Sequence, residues 1–453
     1  MPPPPPPPPA LLDELLEEIF LRLPPDQPAC LVRASLSSKL WLGILTGARF
    51  RGLYRERHGS PPMLGFIYSG DIREEEEEDN LPYFVATTKF GMRIPGVEDW
   101  RGWHKDYTAW DCRHGRVLFA DTNIFTMPLV VWDPMTGHRR LLYAPEDYDS
   151  SGAAVLCSVA GCDHRACHVG PFQVAFVGLY CSDEGCVAQA HVSLPEVVKW
   201  SKPCSLDLAA QYAFIVNRPP VLIRGALYFT LIYELEDGDD DNDEAAILEY
   251  DLVSNCLTLV DAPPVKTGLA GDIVLMAMED GSLGFAHVDG LNLNLWSRHM
   301  GSNGVASWPR HRVINLETLI PIRNPKEKLR PIGSVEGSDV IFVTMDLGSI
   351  YEINLKSLQW KKIWSREKCC ALFPYMSFYN PPDAGASWAA SAASTNGDVQ
   401  CSARVPPVVE DCKDLHNAFK GGTKETDHLH LCPPRRGAQQ RAICISYAEA
   451  YVE

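Results

Sequence analysis

Residues 114–121, HGRVLFAD, followed by 129–142, LVVWDPMTGHRRLL, carry the phrase on which the fold turns: a glycine, a short apolar strand, and a second strand ending near an acidic residue. The phrase returns as RGALYFTL (224–231) with AILEYDLVSNCLTLV (246–260), as DGSLGFAHVDG (280–290) with LNLNLWSR (291–298), and as GSDVIFVTMDLGSIYEINLKSLQWKKIW (337–364). Its runs are β-branched and aromatic, and Gly, Asp, Asn and Pro divide them, which is the composition of strands joined by tight turns. With Gly115, Gly225, Gly281 and Gly337 as landmarks, the last three stand 56 residues apart and the first stands 110 before the second. That longer gap holds two repeats, the degenerate one around 172–200. A four-stranded unit of this length cannot bury both faces until neighbours pack on it, so the even period implies β-propeller blades of kelch-type spacing and disfavours a β-sandwich. Residues 60–382 hold roughly six such blades, or seven with compact ends. WDPMTG and YDLVSN fall at turns between adjacent strands, and Asp133, Asp251 and Asp289 read as turn formers rather than as paired carboxylates for glycoside hydrolysis.

Residues 11–58 follow another period. Leu11, Leu12, Leu15, Leu16, Ile19, Phe20 and Leu23 recur at steps of three and four, forming one apolar stripe with Glu14, Glu17, Glu18 and Arg22 opposite. Asp13 and Glu14 complement the positive end of a helix dipole, and Pro24 with Pro25 stops the helix. A second helix is expected with Asp26 as its cap and Pro28 in its first turn, carrying Cys30, Leu31, Val32 and Leu36. A third opens at Ser37 or Ser38, carries Leu40, Trp41, Ile44 and Leu45, and ends at Gly47. The expected fold class is therefore mainly β with a small all-α, three-helix N-terminal domain. A unit this small is marginal alone and needs a neighbour or a partner to cover its apolar surface.

The run LLDELLEEIFLRLPP, a leucine-rich turn, SSKLW and the closing ARFRGLYRERHG resemble, in that order, an F-box. HGSPPMLGFIYS, VVWDPMTGHRRLL, ILEYDL, LGFAHVDGLNLNLWSR, DVIFVTMDLGSIYEINLKS and FPYMSFYNPP are similar to the stretches that follow it in a large family of grass F-box proteins. The resemblance spans roughly residues 11–382. It implies a substrate receptor of an SCF-type, cullin-RING ubiquitin ligase, whose F-box holds a Skp-family adaptor and whose propeller-like domain recruits a target. It puts the adaptor contact on Leu11, Leu12, Leu15, Ile19, Leu23, Pro24 and Trp41, some of which must instead be internal core. Two positions depart from the family pattern, Leu12 in place of a proline and Ser38 in place of a cysteine before the Lys-x-Trp, and both imply a weakened adaptor grip. A helical cap packed on the rest of the chain is the plainer reading of the same segment.

A formal net charge of -17 argues against nucleic acid and anionic membranes as partners. No run of about 20 apolar residues and no signal-peptide pattern occurs, so a soluble protein of the cytoplasm, the nucleus or both is expected. An odd count of 15 cysteines fits reduced thiols better than a disulfide framework. The densest group, Cys157, Cys162, Asp163, His164, Cys167 and His168 with Cys181 and Cys186 beyond, lacks the close pairs of a zinc ribbon or finger, so neither a metal nor another cofactor is assigned. The prolines at 2–9 form a polyproline tail within a disordered segment 1–10. The acidic runs 74–79 and 237–244 read as solvated loops, the second lacking the glycine and glutamate of a calcium loop. Residues 383–453 have no sustained period and read as a largely disordered extension.

No phosphate-cradling Gly-Lys-Ser/Thr loop, Gly-x-Ser-x-Gly elbow or His-Glu-x-x-His occurs, and His104, His114 and His138 are scattered, so no catalytic residue is assigned. Trp100, Trp103, Trp110, Trp132 and Trp296 are candidate anchors for a target, with blade core as the plainer role for most. The target-binding residues are not legible. The expectation is a non-catalytic receptor subunit; the rivals are a propeller enzyme acting on a carbohydrate or an oxidisable substrate, and an F-box relative whose adaptor grip has decayed.

Overall fold

The computed structural model describes residues 12–379, apart from 71–83, 88–106, 122–125, 166, 194–198, 211, 235–243, 266–272, 302–304, 323, 325–326, 346–347 and 366–368. The expectations for Leu11, the polyproline tail, the acidic run 74–79, most of 237–244, Trp100, Trp103, His104 and the extension 383–453 lie outside the described residues.

Four helices open the chain, where three were expected: α1 (Asp13–Leu21), α2 (Pro28–Ser37), α3 (Lys39–Thr46) and α4 (Ala48–His58). The closing ARFRGLYRERH forms the fourth, because Gly47 ends α3 in an extended conformation from which α4 restarts at once. Pro28 sits in the first turn of α2 as expected, but Gln27 rather than Asp26 occupies the cap position. Ser38 caps α3, its hydroxyl oxygen accepting from the Leu40 amide at 3.2 Å. Carbonyls left open where α1 stops are taken up by α4: the Tyr54 hydroxyl donates to the Leu23 oxygen at 2.8 Å, and His58 Nε2 donates to the Leu21 oxygen at 3.0 Å.

Among the described residues after α4, the strands make a six-bladed β-propeller. β1 (Met63–Gly70) and β2 (Phe84–Ala86) belong to the blade that closes the ring. Next come β3 (Tyr107–Arg113), β4 (Arg116–Asp121), β5 (Pro128–Trp132) and β6 (Arg139–Tyr143), one antiparallel blade in that order. The following blade is β7 (Ser150–Cys157), β8 (Phe172–Ser182), β9 (Gly185–Val192) and β10 (Cys204–Asp207). In the next, β11 (Tyr212–Ile215) and β12 (Val221–Ile223) share the inner edge of β13 (Ala226–Glu234), followed by β14 (Glu244–Asp251) and β15 (Cys256–Asp261). Then come β16 (Ile273–Ala277), β17 (Leu283–Asp289) and β18 (Asn292–Ser297), with the small hairpin β19 (His299–Met300) and β20 (Ala306–Ser307) looping out before β21 (Arg310–Asn315). β22 (Leu329–Ser334), β23 (Val340–Met345), β24 (Ser349–Asn354) and β25 (Trp360–Ser365) form the last sequential blade. β26 (Cys369–Met376) then returns to pair with β1, so the two ends of the propeller region lock the ring in one sheet.

Alternation along the strands builds the core between blades. In β4, Val117 and Phe119 face the closing blade while Leu118 and Ala120 face the next one; in β5, Val130 and Trp132 divide from Leu129 and Val131 in the same way. Each of the six blade junctions holds its own apolar cluster. A seventh lies in the helical unit, where Leu16, Phe20, Leu31, Leu45, Phe50 and Tyr54 enclose Phe378 from the end of the propeller. Val32 of α2 joins the cluster of β1 and β26.

The landmark glycines do what the repeat required. Gly115, Gly225, Gly281 and Gly337 all have positive φ and join the first strand of a blade to the second. The turn formers are explicit at the hairpins that lead to the outermost strands: Asp133 Oδ1 accepts from the Met135 and Thr136 amides, Asp251 Oδ1 from Val253 and Ser254, and Asn354 Oδ1 from Lys356 and Ser357. The degenerate repeat departs at one place, where residues 158–171 replace the tight turn between β7 and β8.

Candidate functional site

Three features stand outside the packing logic of the propeller: the outer face of α1, a charged spoke at one mouth of the channel, and the loop 158–171.

Helical spacing splits the predicted adaptor set. Leu12, Leu15 and Ile19 remain 67%, 51% and 48% exposed, whereas Leu16, Phe20 and Leu21 on the other side of the helix are buried. Leu23 and Trp41 turn inward, Trp41 packing edge-on against Phe20 with ring centroids 5.2 Å apart, and Pro24 is half-buried. Leu36 and Leu40 add apolar surface at the junction of α2 and α3, 62% and 50% exposed. The helix break at Ser38 turns both outward, a consequence that a reading of helical stripes within single helices does not reveal. At residue 12 the backbone has φ −64°, the angle that proline would fix, and no side-chain cap.

The innermost strand β3 carries Asp111 and Arg113, two residues apart and so on one face of the strand. Arg113 reaches across the mouth: Nε donates to Glu336 Oε2 at 2.8 Å, Nη1 to Asp111 Oδ2 at 3.3 Å and Nη2 to the Pro220 carbonyl at 2.6 Å. Asp111 Oδ2 also accepts from the Val155 amide at 2.8 Å. Burial pushes the Asp111 carboxyl up to about 6, against the pull of Arg113 and the Val155 amide. Burial works against the Arg113 charge as well, but Asp111 and Glu336 outweigh it and hold the guanidinium above its usual range. Two adjacent, buried, opposite charges in one strand are the signal in the sequence, and neither was singled out. The spoke borders a cleft of about 410 Å³ lined by Gly59, Pro61, His164, Pro220, Ser334 and Met376.

The loop 158–171 gathers four residues of the cysteine-rich group, to which the intervals in the sequence assigned no metal. One ligand atom from each of Cys157, Cys162, His164 and Cys167 lies within 4.8 Å of all the others. Cys167 is buried, Cys157 and Cys162 are half-buried and His164 is exposed. Burial pushes the Cys167 thiol up to about 12, and the neighbouring Cys157 and Cys162 sulfurs add to it. The His164 ring stacks on His114 at 4.0 Å, and His114 is held down to about 3 by burial, then by Arg113, His164 and Arg116. His168 leaves the cluster and pairs through Nδ1 with Asp133 Oδ2 at 3.0 Å. Cys181 and Cys186, grouped with the others in the sequence reading as reduced thiols, form a disulfide instead. The tight hairpin between β8 and β9 sets them directly opposite each other, with Cα atoms 4.1 Å apart.

The remaining candidates fall to the core or the surface. Trp110 and Trp132 are buried in the blades, Trp296 is half-buried under Arg310, and His138 is exposed. Asp133 and Asp251 serve turns, and Asp289 closes the β17–β18 hairpin opposite Asn292.

No family model matches the chain, and no curated protein matches it in sequence. Among solved structures it is similar to TolB from Acinetobacter baumannii, at 10% identity and TM-score 0.35 over 74% of this chain and 72% of that one. It is also similar to a quinonprotein alcohol dehydrogenase-like protein from Bacteroides thetaiotaomicron, at 11% identity and TM-score 0.34, over 65% of this chain and 62% of that one. A thermostable family-43 glycoside hydrolase shares 10% identity at TM-score 0.28 over 49% of this chain and 78% of its own. Likenesses this distant say nothing about what the present chain binds or catalyses.

Proposed function

We propose that this chain is a substrate-receptor subunit of an SCF-type ubiquitin ligase, working in the cytoplasm, the nucleus or both, with no catalytic site of its own. The observation that carries the reading is the ridge of Leu12, Leu15 and Ile19, uncovered on a helix whose opposite side is packed against Phe378 and the rest of the helical core. A surface helix in a self-sufficient fold turns its apolar stripe inward, and an uncovered second stripe marks a place for a partner. Here the partner is a Skp-family adaptor, and through it a cullin-RING ligase. The F-box-like order of elements supports that assignment, and so does the proline-like backbone angle at Leu12.

The propeller is the target-holding part. Its mouth beside Gly59 is bordered by the helical unit and the loop 158–171, so the opposite end of the propeller is assigned to the target. Ubiquitin transfer then gains from proximity, since a tethered target meets the charged conjugating enzyme at high effective concentration. The enzyme reading is less favoured because Asp111 and Glu336, two of the carboxylates that line the cleft, are both engaged by Arg113 rather than free to act as an acid and base pair.

Co-purification with a Skp-family adaptor tests the proposal. The full chain is expected to retain the adaptor, and the double variant Leu15→Asp, Ile19→Asp to lose it while keeping its fold. Undiminished recovery by that variant, or no recovery by the wild type, defeats the assignment.

A further inference from the structure

We propose that Cys157, Cys162, His164 and Cys167 form a closed, structural Zn²⁺ site that folds the loop 158–171 and fastens the face of the propeller on which the helices sit. Three thiolates and one imidazole make a Cys3His set, which suits zinc and leaves no open position for a substrate.

Geometry carries the argument. A tetrahedral zinc with bonds of about 2.3 Å to sulfur and 2.0–2.1 Å to nitrogen sets neighbouring S···N edges near 3.6 Å and S···S edges near 3.8 Å. Cys167 Sγ and His164 Nδ1 are 3.7 Å apart, and all four ligand atoms fall within 4.8 Å of one another, so shifts of about an ångström complete the tetrahedron. Two of the three sulfurs also have a backbone amide directed at them. The Val159 amide points at Cys157 Sγ at 3.5 Å and the His164 amide at Cys162 Sγ at 3.4 Å, the same two-residue offset in both cases. Such N–H···S contacts stabilise a thiolate and fix its direction.

The loop is held from outside by groups that orient its ligands. Arg116 Nη2 donates to the Cys167 carbonyl at 2.6 Å, and the guanidinium places a cation beside a centre whose net charge with Zn²⁺ is one negative. His168, next to Cys167, is tied to Asp133 of the neighbouring blade. His164 itself takes a left-handed backbone angle, φ 59°, which turns its ring back toward Cys167. The insertion stands where the repeat elsewhere has a tight glycine turn; its base is closed by the Ser158 amide donating to the Pro171 carbonyl at 3.3 Å, and Cys162, His164 and Cys167 lie between those two ends.

The position gives the metal a task. Asp163 and Arg165, both between ligands in the sequence, face Gly52, Arg55 and Glu56 of α4 across a shared cleft. A rigid loop there braces the helical unit, and a loose one releases it. The inference does not depend on the ligase reading, since metal content and loop order are measured without an adaptor.

The test uses the full chain purified under reducing conditions from zinc-supplemented cells without chelator. Mass spectrometry for metals is expected to find about one zinc per chain, falling at least about tenfold in Cys162→Ser and in Cys167→Ser but not in Cys204→Ser, which lies outside the cluster. Cobalt added to the stripped wild type is expected to give the charge-transfer and d–d bands of a tetrahedral thiolate site. Chelation should speed hydrogen exchange in 158–171 and α4 while β13 and β14 keep their protection. Should a ligand variant fail to fold, the cobalt spectrum and the exchange data on the wild type still decide. Zinc below about a tenth of an equivalent with no cobalt bands, metal that survives both ligand substitutions, or a disulfide among Cys157, Cys162 and Cys167 in the reduced protein would overturn the proposal.

Discussion

Leu15 and Leu16 are neighbours in sequence with opposite fates, and substituting each by alanine separates docking from folding. Leu16 is 5% exposed and packs with Phe20, Leu45 and Phe378, so Leu16→Ala removes a buried side chain and leaves a cavity at a cost of about 2–4 kcal/mol. Leu15 is 51% exposed, and alanine is the better helix former, so Leu15→Ala is expected to change stability by less than about 1 kcal/mol. Hydrogen exchange of the α1 to α4 amides reads the difference locally: roughly 30- to 1000-fold faster opening for Leu16→Ala, and little change for Leu15→Ala. Adaptor binding reverses the order. Covering the exposed half of Leu15 contributes about 1 kcal/mol, so Leu15→Ala weakens capture about fivefold in a protein that remains fully folded. If Leu15→Ala accelerates exchange as much as Leu16→Ala does, the ridge is an internal face and the docking argument loses its surface. If it alters neither exchange nor capture, the adaptor binds elsewhere.

Three further outcomes follow from particular contacts. A Cβ at Gly333 would lie 2.4 Å from the Leu372 carbonyl oxygen, where the inner strands β22 and β26 close the ring, so Gly333→Ala should destabilise the propeller by about 1–3 kcal/mol in chemical denaturation; an unchanged midpoint would refute the close approach. Asp111 titrates near 6 when folded against an ordinary carboxylate value near 4, so its contribution to stability is complete below about pH 4 and is lost as pH rises toward 6, by roughly 2 kcal/mol between pH 4.5 and 7.5. Denaturation of the wild type and of Asp111→Asn at those two pH values isolates that slope, and a stability difference independent of pH would sink it. Leu12→Pro fits the observed φ of −64° and is expected to raise stability by about 0.4–1 kcal/mol and to tighten adaptor capture; a loss of helix content by circular dichroism would show that the amide of residue 12 was needed.

What could be read beforehand were elements whose signal is local. The stripe in α1, its proline stop, the glycine turns and the middle strands of each blade, such as β4 and β5, all announce themselves within ten or so residues. The inner strands were harder, because Asp111 and Arg113 in β3 are polar residues facing a channel and break the apolar pattern of their blade. Closure of the ring by β26 on β1 joins segments about 300 residues apart, a pairing no local periodicity contains. The split of the adaptor set into Leu12, Leu15 and Ile19 outside and Leu23 and Trp41 inside depends on where α3 and α4 pack, which spacing along α1 alone leaves open. The cysteine loop stood out by composition, but its gathering at one point was not legible, for a different reason. Its ligand intervals match no paired motif, and a left-handed His164 together with a long β7–β8 connection is needed to bring them to one point. The repeat itself held the clue, since the landmark expected near residue 170 falls in that loop.

The mounting of the helices on the propeller bears on why an apolar ridge can persist at all. A helical unit of under about 50 residues buries too little surface to tolerate a second uncovered face if it stands alone. Here Phe378 enters the helical core, Val32 enters the core beneath β1 and β26, and Tyr54 and His58 satisfy the carbonyls at the end of α1. The propeller thereby supplies the apolar neighbour that the inner face of the helices lacks, and Leu12, Leu15 and Ile19 need not turn inward to hold the unit together. Exposure of the ridge is thus a consequence of the junction. A change that loosens the junction, at Phe378 or in the loop 158–171 beneath α4, should weaken docking at α1 without touching a docking residue.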